Sequence, residues 1–183
     1  WENLRRPESP EDMTKSPFHI LDMSWTALQM LTWHEELEKD PRLIVFARNY
    51  GEELLRRQEP SGFFPAWIDV ETGEVYEELR ESPESSLSVT FLLRLARITE
   101  EKTYREAALR ALEAVIATIL PSGRWEDFET FWSCSRWGRD TQQGKPVVRN
   151  AQFKQNNFSI FWTAEALLET YLVTAEVRYL ELG

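Results

Sequence analysis

Hydrophobic residues recur along this chain at helical spacing, in stripes of two widths. Over 41–58, Leu43, Ile44, Ala47, Tyr50 and Leu54 form one stripe opposite Arg42, Arg48, Glu52, Glu53 and Arg56. Over 101–119, Tyr104, Ala108, Ala111, Leu112, Val115 and Ile119 stand against Arg105, Glu106, Arg110 and Glu113. Such segments are helices with one face to a core and one to water. The stretch 83–98 is instead apolar nearly all round, through Leu87, Val89, Phe91, Leu92, Leu93, Leu95, Ala96 and Ile98. So is 157–172, through Phe158, Ile160, Phe161, Trp162, Ala164, Leu167, Leu168 and Tyr171, and 18–33 is similar. These are expected to be buried on both sides. Their alternation with the amphipathic segments predicts an inner and an outer layer of helices.

Cap residues followed by proline mark the starts at Ser16-Pro17, Asp40-Pro41 and Ser82-Pro83. Proline suits a first turn, where its missing N–H has no helical partner to lose, and Ser or Asp accepts from an orphan N–H. Helices are therefore predicted near 17–38, 41–58, 83–98, 101–119 and 157–175. Pro60-Ser61-Gly62 recurs as Pro121-Ser122-Gly123, and the same displacement carries Leu43 onto Tyr104, Ala47 onto Ala108, Leu54 onto Val115 and Leu31 onto Leu92. A shared apolar register of that length indicates a structural repeat of helix pairs. Inner-to-outer links (Lys39-Asp40, Thr99-Glu100) are short, whereas the returns, 60–82 and 121–156, are long. Antiparallel pairs then place both long connections at one end, around the N-termini of the inner helices, whose dipoles favour anions. Val70 to Val75 reads as a small β-hairpin turning at Thr72-Gly73. Thr174 to Tyr179 echoes Thr99 to Tyr104, so a further outer helix is expected near Val177. The whole of 1–183 is expected to be one helical-hairpin repeat domain, a fragment of a larger protein, with missing segments of that protein as possible partners.

Composition narrows the function. The chain has 183 residues, 42% hydrophobic and 28% charged, with 21 Lys plus Arg against 31 Asp plus Glu. A net charge of −10 argues against nucleic acid and against an anionic membrane surface. No apolar run approaches the ~20 residues that span a bilayer. Cys134 is the one cysteine, which excludes an intrachain disulfide and a Cys-based zinc site. No His, Asp and Glu cluster has metal-ligand spacing, no cofactor is expected, and the 7 glycines build no nucleotide-binding loop.

The stretches Leu92-Leu93-Arg94-Leu95-Ala96-Arg97-Ile98-Thr99 to Tyr104-Arg105-Glu106-Ala107-Ala108 and Ala164-Glu165-Ala166-Leu167-Leu168-Glu169-Thr170-Tyr171, with turns Pro60-Ser61-Gly62-Phe63-Phe64-Pro65 and Pro121-Ser122-Gly123-Arg124-Trp125, resemble the six-hairpin glycosidase superfamily. The resemblance covers 17–183 and implies an all-α fold: layered helical hairpins forming a partial (α/α) toroid, with long loops and a small β-hairpin on one face. It is architectural. That superfamily holds glycoside hydrolases, polysaccharide lyases and sugar isomerases, so the fold does not choose among them.

The loops carry the candidate chemistry. Trp67, Tyr76, Trp125, Trp132 and Trp137 offer flat faces suited to the C–H face of a sugar ring. Asp69, Glu126, Asp127 and Asp140 are the candidate carboxylates for general acid and base work on a glycosidic bond. Arg136, Arg139, Asn156 and His19 complete the candidate substrate-binding set; with Arg or Asn neutralising a carboxylate and Tyr76 or His19 as base, the same residues would instead suit elimination from a uronic polymer. The leading expectation is a carbohydrate-active enzyme, a glycoside hydrolase acting on an oligo- or polysaccharide at the long-loop face. A polysaccharide lyase and a non-catalytic helical scaffold binding glycan or protein are the alternatives. The structural counter-reading has the loop tryptophans packing inward, the carboxylates solvated or paired, His19 capping its helix and His34 structural.

Overall fold

The computed structural model describes residues 18–77, 79–128, 130 and 144–183. Ser16, Pro17, Trp132, Cys134, Arg136, Trp137, Arg139 and Asp140 lie outside them. In chain order the elements are β1 (Phe18–His19), α1 (Ile20–Glu36), α2 (Pro41–Arg57), β2 (Trp67–Ile68), α3 (Ser85–Thr99), α4 (Lys102–Ser122), α5 (Asn157–Thr174) and α6 (Val177–Leu182). The described chain is thus mostly helical, with one two-stranded sheet.

α1, α3 and α5 form an inner row with α3 in the middle, and α2, α4 and α6 each pack on the inner helix that precedes them. Cross-helix bonds show the inner row to be parallel. Ser24 meets Ser88 near the starts of α1 and α3 (2.8 Å), and Arg97 meets Glu35 near their ends (2.7 Å). Ser86 meets Thr163 of α5 (2.8 Å), and Arg94 reaches both Thr32 and Glu169, joining all three inner helices at one level.

The outer helices repeat a tie. The Tyr104 hydroxyl of α4 donates to Glu52 of α2 (2.8 Å), and the Tyr179 hydroxyl of α6 donates to Glu113 of α4 (2.7 Å). The turns into these outer helices match as well: Glu100 and Ala175 both adopt a left-handed conformation (φ 60° and 61°), each after a threonine that bonds back into its helix. α6 begins at Val177, as its echo of the earlier turn predicts.

Local chemistry sets the ends. Asp40 Oδ1 accepts from Arg42 N–H (2.9 Å) with Pro41 in the first turn of α2. His34 Nδ1 bonds Asp40 O (3.0 Å), so its role is structural. The two Pro-Ser-Gly copies differ in conformation. The first follows α2 in a turn, whereas Pro121 and Ser122 continue α4 to its last turn before Gly123. Gly62 (φ 97°) explains the first: an added Cβ would come within 2.8 Å of the Arg110 carbonyl of α4, so only glycine lets the turn lie on that helix. Gly51 plays the same part in α2, with Leu95 and Tyr104 closing over it.

The core runs through Leu28, Leu31, Ala47, Leu54, Leu87, Phe91, Leu92, Leu95, Tyr104, Ala108, Leu112 and Leu167. α3 is buried at every residue from Ser85 to Leu93. α1 and α5 are not buried on both sides: Trp25, Trp33, Phe158, Phe161, Leu168 and Leu172 are exposed. The physical reason is positional, since α3 has an inner neighbour on each flank and α1 and α5 have one apiece. The Val70–Val75 turn is also less regular than a hairpin. β2 pairs with β1, His19 opposite Trp67, and the return limb adds only a bridge between Ile68 and Val75.

Candidate functional site

His19, Glu84 and Asn156 are the residues at which α1, α3 and α5 begin, so the parallel inner row gathers three positive helix ends at one rim. The long connections return to this rim.

The β1–β2 ladder places His19 beside Trp67, and the imidazole lies flat on the indole, ring centres 4.0 Å apart at 6°. Phe128 tilts against both rings, at 5.2 and 5.5 Å. His19 Nε2 donates to Glu84 Oε2 (3.2 Å) and Nδ1 to Asp22 Oδ2 (3.1 Å). Burial alone would lower the His19 pKa, but the Glu84 charge and the bonds to Asp22 and Glu84 outweigh it and push it up to about 9. The ring is therefore a cation at neutral pH, buried and held against an indole face. Glu84 is fully buried, and its second oxygen, Oε1, accepts from Phe128 N–H (2.7 Å). Ser82 Oγ accepts from Glu84 N–H (3.3 Å), which orients the first turn of α3.

Phe128 brings its neighbours to the same rim. Asp127 is buried; its Oδ1 accepts from both the N–H and the hydroxyl of Thr130 (2.9 Å each), and its Oδ2 accepts from Ser159 Oγ in the first turn of α5. Burial raises its pKa, the nearby Glu84 charge adds to the rise, and the Ser159 and Thr130 bonds oppose it. Glu126 is 1% exposed. Its Oε2 accepts from Arg124 Nε (2.8 Å) and Gly144 N–H (2.9 Å), while Oε1 has no hydrogen-bond partner among the described residues. Trp67 Nε1, also buried, has none among the described residues either. Buried polar atoms without partners are uncommon in folded proteins and each calls for an explanation.

Of the residues singled out in the sequence, His19, Trp67 and Tyr76 come together, Tyr76 half-buried against Ala66, Trp67, Leu79 and Phe128. Asp127 joins them through its neighbour Phe128 and the Glu84 charge, whereas the Glu126 side chain turns to Arg124 and Gly144. Trp125 packs partly buried on Phe63, Val115 and Ile119, and its carbonyl accepts from Asn156 N–H (3.1 Å). Asn156 caps α5 by accepting from Phe158 N–H (2.9 Å). Asp69 Oδ1 accepts from Glu71 and Thr72 N–H (2.9 and 2.7 Å), shaping the turn after β2. Asp140, Trp132, Arg136, Trp137 and Arg139 lie outside the described residues.

Glu84, Asp22, Phe128 and Ser159 are members of this cluster that the sequence reading passes over. Glu84 had a legible signal: an acid directly after Ser82-Pro83 at the head of an otherwise apolar helix. Among the described residues no group of His, Cys, Asp and Glu is placed to hold a metal ion, and no described helix is long and apolar enough to cross a membrane.

Fold and cluster together define a mostly helical, layered-hairpin protein with a buried ionic cluster at its loop end. Comparison with protein families, characterised proteins and solved structures finds no match.

Proposed function

We propose that this chain carries the loop face of a carbohydrate-active enzyme, a glycoside hydrolase whose three hairpins are an arc of an (α/α) toroid. The observation that carries the reading is the pair of buried carboxylates Glu84 and Asp127 at the inner-helix N-termini, with buried Glu126 next to Asp127 in the chain and one of its oxygens without a hydrogen-bond partner among the described residues. Glycosidic hydrolysis uses two carboxyl groups in different roles, one giving a proton to the leaving oxygen and one acting as base or nucleophile, with room for the attacking water. Asp127, its pKa raised by burial, suits the proton-donating partner, and Glu126, held by Arg124, is the candidate second carboxyl group. Trp67 and Tyr76 supply aromatic surface beside them. Elimination is the weaker alternative on the side of His19, whose two nitrogens are already engaged with carboxylates, which leaves Tyr76 as its candidate base.

One observation favours a second reading, a non-catalytic scaffold binding glycan or protein. Every oxygen of Glu84 and Asp127 already accepts a hydrogen bond, as in a purely structural polar core. Incubation of the full chain with a panel of oligo- and polysaccharides separates the readings. Hydrolysis gives new reducing ends without unsaturated products, lost in Glu126→Gln and Asp127→Asn variants that keep their helical circular dichroism. Unsaturated uronates would move the reading to a lyase. Retention on glycans without cleavage would move it to the scaffold. Neither cleavage nor retention on any glycan would overturn the carbohydrate reading altogether.

A further inference from the structure

Glu84 stands where α3 begins, yet its carboxylate caps no N–H of α3. At the starts of α2 and α5, Asp40 and Asn156 accept from an N–H of their own first turn. Glu84 makes no such bond. Its two oxygens go instead to residues far away in the chain, Oε2 to His19 Nε2 (3.2 Å) and Oε1 to Phe128 N–H (2.7 Å). Taking a carboxylate fully out of water is costly, and a helix start can be capped by a neutral side chain, as that of α5 is. A charge kept there at that cost points to a use beyond holding the helix.

That use lies one peptide away, at Asp127. The N–H that Glu84 grips belongs to the peptide joining Asp127 to Phe128, so the grip fixes the backbone that carries the Asp127 side chain. The Phe128 ring packs on His19 and Trp67, which holds the same segment a second time. The Asp127 carboxyl is fixed by the N–H and hydroxyl of Thr130 and by the Ser159 hydroxyl of α5. Those donors favour its ionised form; burial and the Glu84 charge favour the protonated form and prevail. Among the described residues Glu84 is the charged side chain that bears on Asp127, and behind Glu84 stand His19 of β1 and Asp22 of α1. His19, a cation up to about pH 9, supplies the counter-charge for Glu84 through the neutral range.

We propose that Glu84 is a positioning residue for Asp127: paired with the His19 cation, it holds the peptide after Asp127 and lays a fixed negative charge beside the Asp127 carboxyl. The inference rests on the reading of Asp127 as the proton donor of the site. In that role the carboxyl gives its proton to the leaving oxygen, and it must keep that proton until the substrate is bound. A carboxyl gripped by Thr130 and Ser159 alone would release it at lower pH; a neighbouring carboxylate makes it hold on. Glu84 touches no substrate in this scheme and acts only through Asp127. Ser159 acts on the same carboxyl in the opposite direction.

Carbon-13 NMR titration of the aspartate carboxyls in the full chain tests this, with the Asp127 resonance assigned by its loss in Asp127→Asn. Glu84→Gln keeps an oxygen acceptor for Phe128 N–H but removes the charge, and should move the Asp127 midpoint to lower pH. Ser159→Ala removes a donor to the ionised form and should move it to higher pH. Should Glu84→Gln fail to fold, the double variant His19→Gln with Glu84→Gln leaves neither ion of the pair buried alone, and should move the midpoint the same way as Glu84→Gln. On any glycan that the chain hydrolyses, the alkaline limb of the pH profile should move down with the Asp127 midpoint. A midpoint unmoved or raised in folded protein lacking the Glu84 charge would overturn the proposal and leave Glu84 an anchor for Phe128 alone. A midpoint that follows Glu84 in a chain that cleaves no glycan would uphold the positioning of Asp127 and tell against the hydrolase reading instead.

Discussion

α3 and α5 read alike in the sequence and differ in the structure. Both are apolar nearly all round and both begin at the loop rim. α3 is buried from Ser85 to Leu93, whereas α5 leaves Phe158, Phe161, Leu168 and Leu172 in water. Composition states which faces of a helix gain by being covered. It does not state whether a neighbour exists to cover them. The small polar residues of α3 carry the missing information: Ser86 and Ser88 point to opposite neighbours, Thr163 and Ser24, and so mark a helix with two partners.

The sharpest break in the comparison is a matched pair of truncations. Leu92→Ala in α3 removes a fully buried side chain and should cost about 2–5 kcal/mol through lost transfer energy and a residual cavity. Leu168→Ala in α5 should change the stability of the isolated chain by less than ~0.5 kcal/mol, because its side chain already faces solvent. Urea midpoints at low protein concentration measure both. Equal losses would show α5 to be covered in solution and would end the contrast.

The N-terminal ends differ in charge, and pH separates them. α3 starts on Glu84 paired with the His19 cation, whereas α5 starts on neutral Asn156. The folded-state pKa of His19, about 9, lies above its unfolded value of 6.5. The stabilisation is therefore complete below pH 6.5 and is lost as pH rises to about 9, on the order of 3 kcal/mol in all. Urea midpoints at pH 6 and pH 9.5 should show the fall, and His19→Gln should remove most of the slope in that window. Asp127 acts with the raised-acid sign: stability falls as pH climbs from the ordinary carboxylate range through its raised folded value.

Local chemistry made much of the fold legible. The Asp40-Pro41 start, the widths of the two kinds of stripe and the echo of Thr99–Tyr104 in Thr174–Tyr179 placed the five long helices and the start of α6. The second Pro-Ser-Gly was misread as a turn because a proline near a helix C-terminus can still close the last turn before a left-handed glycine. The rim was legible only in part. Trp67, Glu126 and Asp127 stand out as aromatic and acidic residues in loops. Glu84 shows itself only as an acid after Ser82-Pro83 at the head of an apolar helix; its partners His19 and Phe128 come from distant parts of the chain through a two-residue sheet and a long loop. Sequence spacing carries no trace of such contacts.

Two smaller tests probe the ends of α5, where a solvated helix depends most on its own caps. Asn156→Ala removes the acceptor for Phe158 N–H and should cost about 1 kcal/mol, as for other N-caps. At the other end Ala175 holds φ 61°, a conformation that glycine adopts without strain. Ala175→Gly relieves that strain but adds freedom to the unfolded chain, and strain relief at a left-handed cap is the larger of the two effects. The expected result is a gain of about 0.5–1 kcal/mol, read from thermal and urea unfolding. Glu100→Gly, at the matching turn after α3, should give a gain of the same sign and size. The two turns share their backbone conformation and close successive inner helices, one on Glu100 and the other on Ala175. A gain at one and a loss at the other would break the repeat at its most regular point.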